Sequence, residues 1–243
     1  RLMEVARRTR VTVALDSMPA ARQLADAARA ARVSIGVLVE ADVGMHRCGV
    51  AIGEELVTLA QSVARLAPHV TLEGVACYPG HIRSYSDEFQ RQIDELAADT
   101  ARIVDDFRRA DLPLTIFSAG STPLVFQSHQ FPGVNEIRPG TYVFHDVNCV
   151  RSGMATWDDC AATILTTVIS SARRGYVMVD GGSKTFSSDR IAGSSELSFG
   201  YVTDAPEAVV YAQNEEHGHV DVRKCDQEFQ VGDSRNLAPL FAW

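Results

Sequence analysis

The chain has 243 residues, of which 46% are hydrophobic and 22% charged, enough for one large domain or two modest ones with real cores. Its formal net charge is −8 and no basic cluster interrupts it, so nucleic acid is not an expected partner. No run approaches the roughly eighteen apolar residues of a membrane span, no signal-peptide pattern is visible, and a membrane partner is not expected either.

The chain opens on Arg1 inside a helical run, and the natural protein is expected to begin upstream of it. Val11-Thr12-Val13-Ala14-Leu15 reads as a first strand ending at Asp16, with Ser17 as N-cap and Pro19 in the first turn of the helix that follows. "RVSIGVLVEADVG" is the second strand, followed by a helix in "GEELVTLAQSVARLA". "VTLEGVACYPG" is the third. Asp87 to Ala110 is a long amphipathic helix with Phe89, Ile93, Leu96, Ile103, Val104 and Phe107 on one face. "LPLTIFSAGSTP" is the fourth strand and "VNEIRPGTYVF" the fifth.

Strands alternating with helices predict parallel βαβ units. Reactive side chains gather at the strand ends, where a parallel barrel builds its active site. The fold class read here is α/β: a partial β/α barrel of the TIM type over residues 1–147, lacking its first strands. A doubly wound open sheet is the runner-up, weakened because no GxGxxG follows the first strand. From about residue 148 to 243 the texture turns to short β-rich runs, predicting a second, mainly β domain. Its last dozen residues, "GDSRNLAPLFAW", show no clear pattern.

Five cysteines, Cys48, Cys77, Cys149, Cys160 and Cys225, are scattered without a CxxC. They predict small buried hydrophobes and a reducing cytoplasm rather than disulfides or a structural zinc.

In "DVGMHRCG", Arg47 supplies a permanently charged fork suited to a phenolate or carboxylate, and Gly44 and Gly49 allow close backbone approach. The competing reading is an ion pair with Asp42 or Glu40. "SAGSTP" offers Gly120 and Ser121, with Thr122, as a cradle for phosphate at a turn, or a plain capping loop. "IRPGTY" offers a second cradle at Gly140 and Thr141, with Arg138 and Tyr142 beside it. In "CYPGH", Tyr78 suits packing on a planar ring and His81 suits proton transfer. "EEHGH" carries Glu215, Glu216, His217 and His219; strand alternation puts both histidines on one face but provides no third ligand, so no metal site is assigned.

Taken together and in order, "DVGMHRCGV", "YPGH", "SAGSTP", "RPGTYVF" and "DGGSKTFSSD" resemble the D-threonine aldolase and D-serine dehydratase group. These are pyridoxal 5′-phosphate enzymes with an alanine-racemase-like N-terminal barrel. The resemblance runs from residue 1 to about 233. It implies that Arg47 faces the cofactor's phenolic oxygen and that Tyr78 lies beside its ring. It implies phosphate turns at Gly120, Ser121, Gly140 and Thr141, and Arg138 near the pyridine nitrogen. Lys184 and Asp189 fall in a family motif without an assigned step.

Two departures stand out. The family's aldimine lysine lies on the first barrel strand, whereas the only lysines here are Lys184 and Lys224, so it is expected upstream of Arg1. The family's C-terminal His-x-Cys or His-x-Asp pair, which holds zinc or manganese, is not found after "QVGD". The expected function is a lyase acting on small D-3-hydroxy amino acids, an aldolase yielding glycine and an aldehyde. The alternatives are a D-serine or 3-hydroxyaspartate dehydratase, an inactive cofactor-binding homologue and, more weakly, a racemase. A homodimer is the expected assembly.

Overall fold

The computed structural model describes residues 1–83, 87–188 and 198–239. The chain separates into two compact units, Arg1–Pro139 and Gly140–Trp243.

The first unit runs α1 (Leu2–Ala6), β1 (Thr12–Leu15), α2 (Met18–Ala31), β2 (Ile35–Ala41), α3 (Glu54–Ala64), β3 (Val70–Cys77), α4 (Phe89–Arg109), β4 (Ile116–Ala119), a 3₁₀ stretch (Thr122–Gln130) and β5 (Glu136–Ile137). All four strand pairings are parallel and the spatial order is β1-β2-β3-β4-β5. Each new strand is added on the same side as the last. A doubly wound sheet would reverse its order at a switch point, so the barrel-type winding is the one adopted.

The strands are covered on their helix side, and in β2 every residue but Glu40 is buried. α4 buries Ile93, Leu96, Thr100, Ile103 and Phe107, one face at helical spacing, while its charged residues form surface pairs such as Arg91–Glu95 at 2.6 Å. The core of this unit joins those side chains to Val37, Val39, Leu56, Val63, Val75 and Phe117. Each such large aliphatic or aromatic side chain contributes about 1.5–3 kcal/mol on burial.

A register shift marks β3: Val37 pairs with Leu72, but Leu38 pairs with Gly74, leaving Glu73 as the extra residue. That bulge re-aims Glu73. Its carboxylate crosses over Gly36, where a Cβ would lie 2.5 Å from Glu73 Cδ. It accepts from Thr12 Oγ1 at 2.8 Å and Arg10 Nη2 at 2.7 Å, lacing β1 to β3.

Two expectations shift in detail. Ser17 is the N-cap of α2, but its side chain makes no capping bond. The fifth strand is two residues long, because the Asn135 side chain takes over the pairing: its Oδ1 accepts from Phe117 N and its Nδ2 donates to the Thr115 carbonyl, each at 2.9 Å. Pro139 then removes a main-chain donor.

The second unit holds α5 (Val147–Arg151), β6 (Ile164–Ser170), β7 (Tyr176–Val179), α6 (Ser183–Phe186), β8 (Gly200–Val202), β9 (Val209–Gln213), β10 (Gly218–Asp221) and β11 (Ser234–Pro239). The six strands close into a barrel in the order β10-β7-β6-β11-β8-β9. Its interior is built from Val168, Val177, Val179, Phe186, Val202, Val210 and Val220. The patternless terminal segment therefore contains a strand: β11 pairs antiparallel with both β6 and β8. It carries no apolar alternation. Pairing on both sides holds it, and Arg235 adds contacts to Asp233 at 3.0 Å and, across the ring of Phe229, at 4.7 Å.

Candidate functional site

Parallel strands place all their C-terminal ends along one edge. In this sheet the residue after each strand is Asp16, Asp42, Tyr78, Gly120 and Arg138 in turn. A cavity of about 460 Å³ is lined by Arg47, Tyr78 and Arg138 together with Glu40, Ser118, Glu136 and strand residues such as Thr12 and Leu38.

Arg47 reaches it from the loop after β2. Asp42 Oδ1 accepts from Gly44 N at 2.9 Å and His46 N at 3.0 Å, and Asp42 Oδ2 lies 2.7 Å from His46 Nδ1. At the loop's far end, Gly49 N donates to Asp16 Oδ2 at 3.1 Å. Gly49 has φ +102°, and a Cβ there would sit 2.5 Å from Asp42 N, so only glycine fits. Burial raises the Asp42 carboxyl, but the hydrogen bonds from His46 main chain and ring and from Gly44 outweigh it and hold the pKa below the ordinary value of 3.8.

The ion pair considered for Arg47 does not form: Asp42 is engaged by His46, and Arg47 instead places its guanidinium carbon 4.6 Å from the ring centroid of Tyr78. At an exposed site such a contact is worth about 0.5–1 kcal/mol. Gly80 makes room for that ring, since a Cβ would meet Tyr78 Cε1 at 2.2 Å.

Arg138 is anchored differently. Its Nη2 donates to the Cys77 carbonyl at 2.9 Å, and its Nη1 donates to the Ser118 hydroxyl, which in turn donates to Glu136. Ser118 is fully buried and Glu136 is its direct neighbour in the β4–β5 register. Neither Ser118 nor Glu136 was singled out from sequence. The available signals were a lone hydroxyl inside the apolar run "TIFSA" and the two-residue spacing of Glu136 and Arg138, which puts both on one face.

Gly120 follows β4 with φ +102°. Ser121 is buried and its Oγ has no hydrogen-bond partner among the described residues. Gly140 and Thr141 open the second unit, Thr141 starting a 3₁₀ turn; open space surrounds Gly140, so no crowding demands glycine there.

His81 does not line the Arg47–Tyr78 cavity. It borders a separate one of about 410 Å³ with Asp42, Gln92 and Asp99. Burial lowers its pKa, only partly offset by Asp42, and its Nδ1 is buried without a partner. Cys77, beneath the Arg138 contact, is inert: burial pushes its thiol up to about 12.

In the second unit, Lys184 on α6 is held by Glu216 at 2.6 Å and Glu215 at 3.0 Å. These bonds raise its pKa. His217 precedes β10 rather than sharing a strand face with His219, which packs edge-on against Tyr211 at 5.9 Å. Among the described residues no three His, Cys, Asp or Glu side chains converge as a metal site. Asp189 lies outside the described residues.

A one-way parallel sheet with its polar side chains just past the strand ends, followed by a closed antiparallel barrel, defines a two-part protein of the β/α-barrel class. The chain belongs to the family described as alanine racemase, N-terminal domain, whose model matches residues 1–147; a second model, described as a putative serine dehydratase domain, matches residues 161–242. It is 32% identical to D-threo-3-hydroxyaspartate dehydratase of Delftia sp. (strain HT23) over 84% of this chain and 56% of that protein. It is 30% identical to D-threonine aldolase of Arthrobacter sp. over 98% of this chain and 62% of that one. The crystal structure of D-threonine aldolase from Filomicrobium marinum superposes with a TM-score of 0.83 at 25% identity, covering 99% of this chain and 64% of that chain. The chain thus spans somewhat over half the length of these curated relatives.

Proposed function

We propose that this protein is a pyridoxal 5′-phosphate lyase acting on D-3-hydroxy amino acids, of the aldolase type that releases glycine and an aldehyde. One observation carries the reading: Arg47, Tyr78 and Arg138 arrive from three strand ends to line a single cavity, in a chain whose relatives are named for such reactions. The residues fit the cofactor. Arg47 meets no carboxylate among the described residues and is available to a phenolate, and the unpartnered buried hydroxyl of Ser121 is available to a phosphate.

When bound, pyridoxal phosphate supplies an electron sink for breaking a bond at the substrate's Cα. Arg47, which lines the cavity, would donate to the phenolic oxygen. Tyr78, which carries the Arg47 guanidinium over its ring, would pack beside the cofactor ring. Gly120 and Ser121 would hold the phosphate. Arg138 presents a fixed positive charge, because the Cys77 carbonyl and Ser118 occupy two of its nitrogens. Lys184 is paired with Glu216 and Glu215, which raise its pKa and disfavour the free amine a nucleophile needs. The cofactor is assigned to residues 1–147.

The second reading is a dehydratase, favoured by the match of residues 161–242 to the putative serine dehydratase domain. A cytoplasmic location agrees with five free cysteines. Tyr142, Val143 and Phe144, 52%, 57% and 41% exposed, support association of two copies. No helix among the described residues is long and apolar enough to cross a membrane.

The test is titration with pyridoxal 5′-phosphate followed by absorbance, then product analysis. Glycine and acetaldehyde from D-threonine support the aldolase; pyruvate and ammonia from D-serine support the dehydratase. No saturable cofactor binding, or binding indifferent to Arg47→Ala, would remove the reading.

A further inference from the structure

The loop between β2 and α3 is tied down at both ends by carboxylates that do not line the cavity. Asp42 Oδ1 takes two main-chain N–H groups, from Gly44 and His46, and Asp42 Oδ2 takes the His46 ring. Asp16, from the neighbouring strand end, takes the N–H of Gly49. The main chain closes the same loop from outside: Asp42 N donates to the Val50 carbonyl at 2.9 Å and Val50 N to the Glu40 carbonyl at 3.0 Å.

The bonds to Asp42 compensate a costly backbone. His46 is a non-glycine residue in the left-handed region with φ +55°, and Gly44 has φ +102°. A left-handed non-glycine residue persists only where surrounding contacts over-determine it. Here the carboxylate accepts from both the main chain and the side chain of that same residue. Arg47 is the next residue, between the Asp42 anchor and the Asp16 anchor. Its direction toward Tyr78 is therefore set by the conformation of His46.

From this geometry we infer that Asp42 is a positioning residue: through the left-handed turn at His46 it aims Arg47 into the cavity and so sets cofactor affinity without touching the cofactor. The inference deepens the reading of Arg47 as the cofactor's partner and rests on it. Asp16 has the lesser share, one acceptor at 3.1 Å against three contacts for Asp42.

The experiment combines two readouts on the wild type, Asp42→Asn, Asp42→Ala, Arg47→Ala and the Asp42→Ala/Arg47→Ala double variant. The first needs no ligand: the Arg47 Nε–Hε resonance in a ¹⁵N–¹H correlation spectrum, assigned by its loss in Arg47→Ala, reports the ring current of Tyr78. It is expected to move toward the position of a free arginine side chain in Asp42→Ala, and part of the way in Asp42→Asn, which retains one acceptor oxygen. The second is the dissociation constant for pyridoxal 5′-phosphate. Asp42→Ala is expected to weaken it about tenfold, and the double variant to bind no more weakly than Arg47→Ala alone, since a residue acting only through another shows strong non-additivity. A purely structural role would leave the two effects to multiply, the double variant binding about tenfold more weakly than Arg47→Ala alone, and that outcome overturns the inference. So does an Arg47 resonance that stays in place in both Asp42 variants. Should the wild type fail to bind pyridoxal phosphate, the functional reading falls, and the resonance alone still decides whether Asp42 aims Arg47.

Discussion

The guanidinium of Arg47 stands over the ring of Tyr78 at 4.6 Å, two residues from different strand ends that share one cavity. The ring is a platform for the charge, and the phenol hydroxyl is not needed for that contact. Tyr78→Phe is therefore expected to leave pyridoxal phosphate affinity within about twofold. Tyr78→Ala should weaken it about two- to fivefold, the equivalent of about 0.5–1 kcal/mol for an exposed cation–π contact. Fluorescence or absorbance titration of the two variants measures the difference.

Ser118 is a buried hinge pin between Arg138 and Glu136. Because both partners are exposed, water replaces the lost hydroxyl, and Ser118→Ala should cost only about 1 kcal/mol in urea unfolding. The effect on the site is expected to be larger in proportion. Arg138 keeps only its contact to the Cys77 carbonyl, and cofactor affinity should fall about threefold while the far-ultraviolet spectrum stays unchanged.

Two glycines of the sheet separate backbone crowding from side-chain crowding. At Gly74, φ is +149° and a Cβ would lie 1.9 Å from the Ile116 carbonyl oxygen, on the neighbouring strand. Gly74→Ala must part β3 from β4 and is expected to cost more than about 3 kcal/mol. At Gly36 the obstacle is the flexible carboxylate of Glu73, which can swing away and lose Thr12 and Arg10. Gly36→Ala should cost about 1 kcal/mol, and Glu73→Ala on top of it should add little. Urea midpoints with constant slope decide both.

The chain's two lysines should differ in reactivity toward an aldehyde. Both lysines are exposed, but Glu216 and Glu215 pair with Lys184 and raise its pKa above its ordinary 10.5. A raised folded-state value means the interaction is present below the unfolded pKa and is lost as pH rises through the folded one. At pH 8, borohydride trapping with pyridoxal phosphate followed by peptide mapping should therefore mark Lys224 in preference to Lys184. Glu215→Gln with Glu216→Gln should remove the preference.

For Asp42 the sign is reversed. Its folded-state pKa is lowered, so its contribution is present above the ordinary value of 3.8 and is lost as pH falls through the folded value. An acid-side shift of the Arg47 resonance is expected below about 4, where Asp42 takes up its proton. In Asp42→Asn that acid-side change should disappear.

The sequence alone determined the alternation of strands and helices, because apolar periodicity is a local property. It also placed Tyr78 and Gly120 at strand ends, because each follows directly on an apolar run, and put Arg47 in the loop beyond the second strand. The reading of Tyr142 to Phe144 as strand was not upheld, and β11 was missed, since a strand held by partners far along the chain needs no apolar alternation of its own. Only the tertiary structure decided between one-way and doubly wound order, which depends on where each crossover lands. It alone brought Ser118 and Glu136 to Arg138, and it separated His81 from the cavity that Tyr78 lines, although the two are three residues apart. The opposite happened at Arg47. A neighbouring carboxylate, Asp42 or Glu40, was the competing partner, but the fold turned Asp42 onto His46 and the main chain, and left the arginine to a tyrosine from the next strand. Which acceptor a long side chain meets is settled by the backbone conformation between them, here a left-handed histidine that sequence spacing does not reveal.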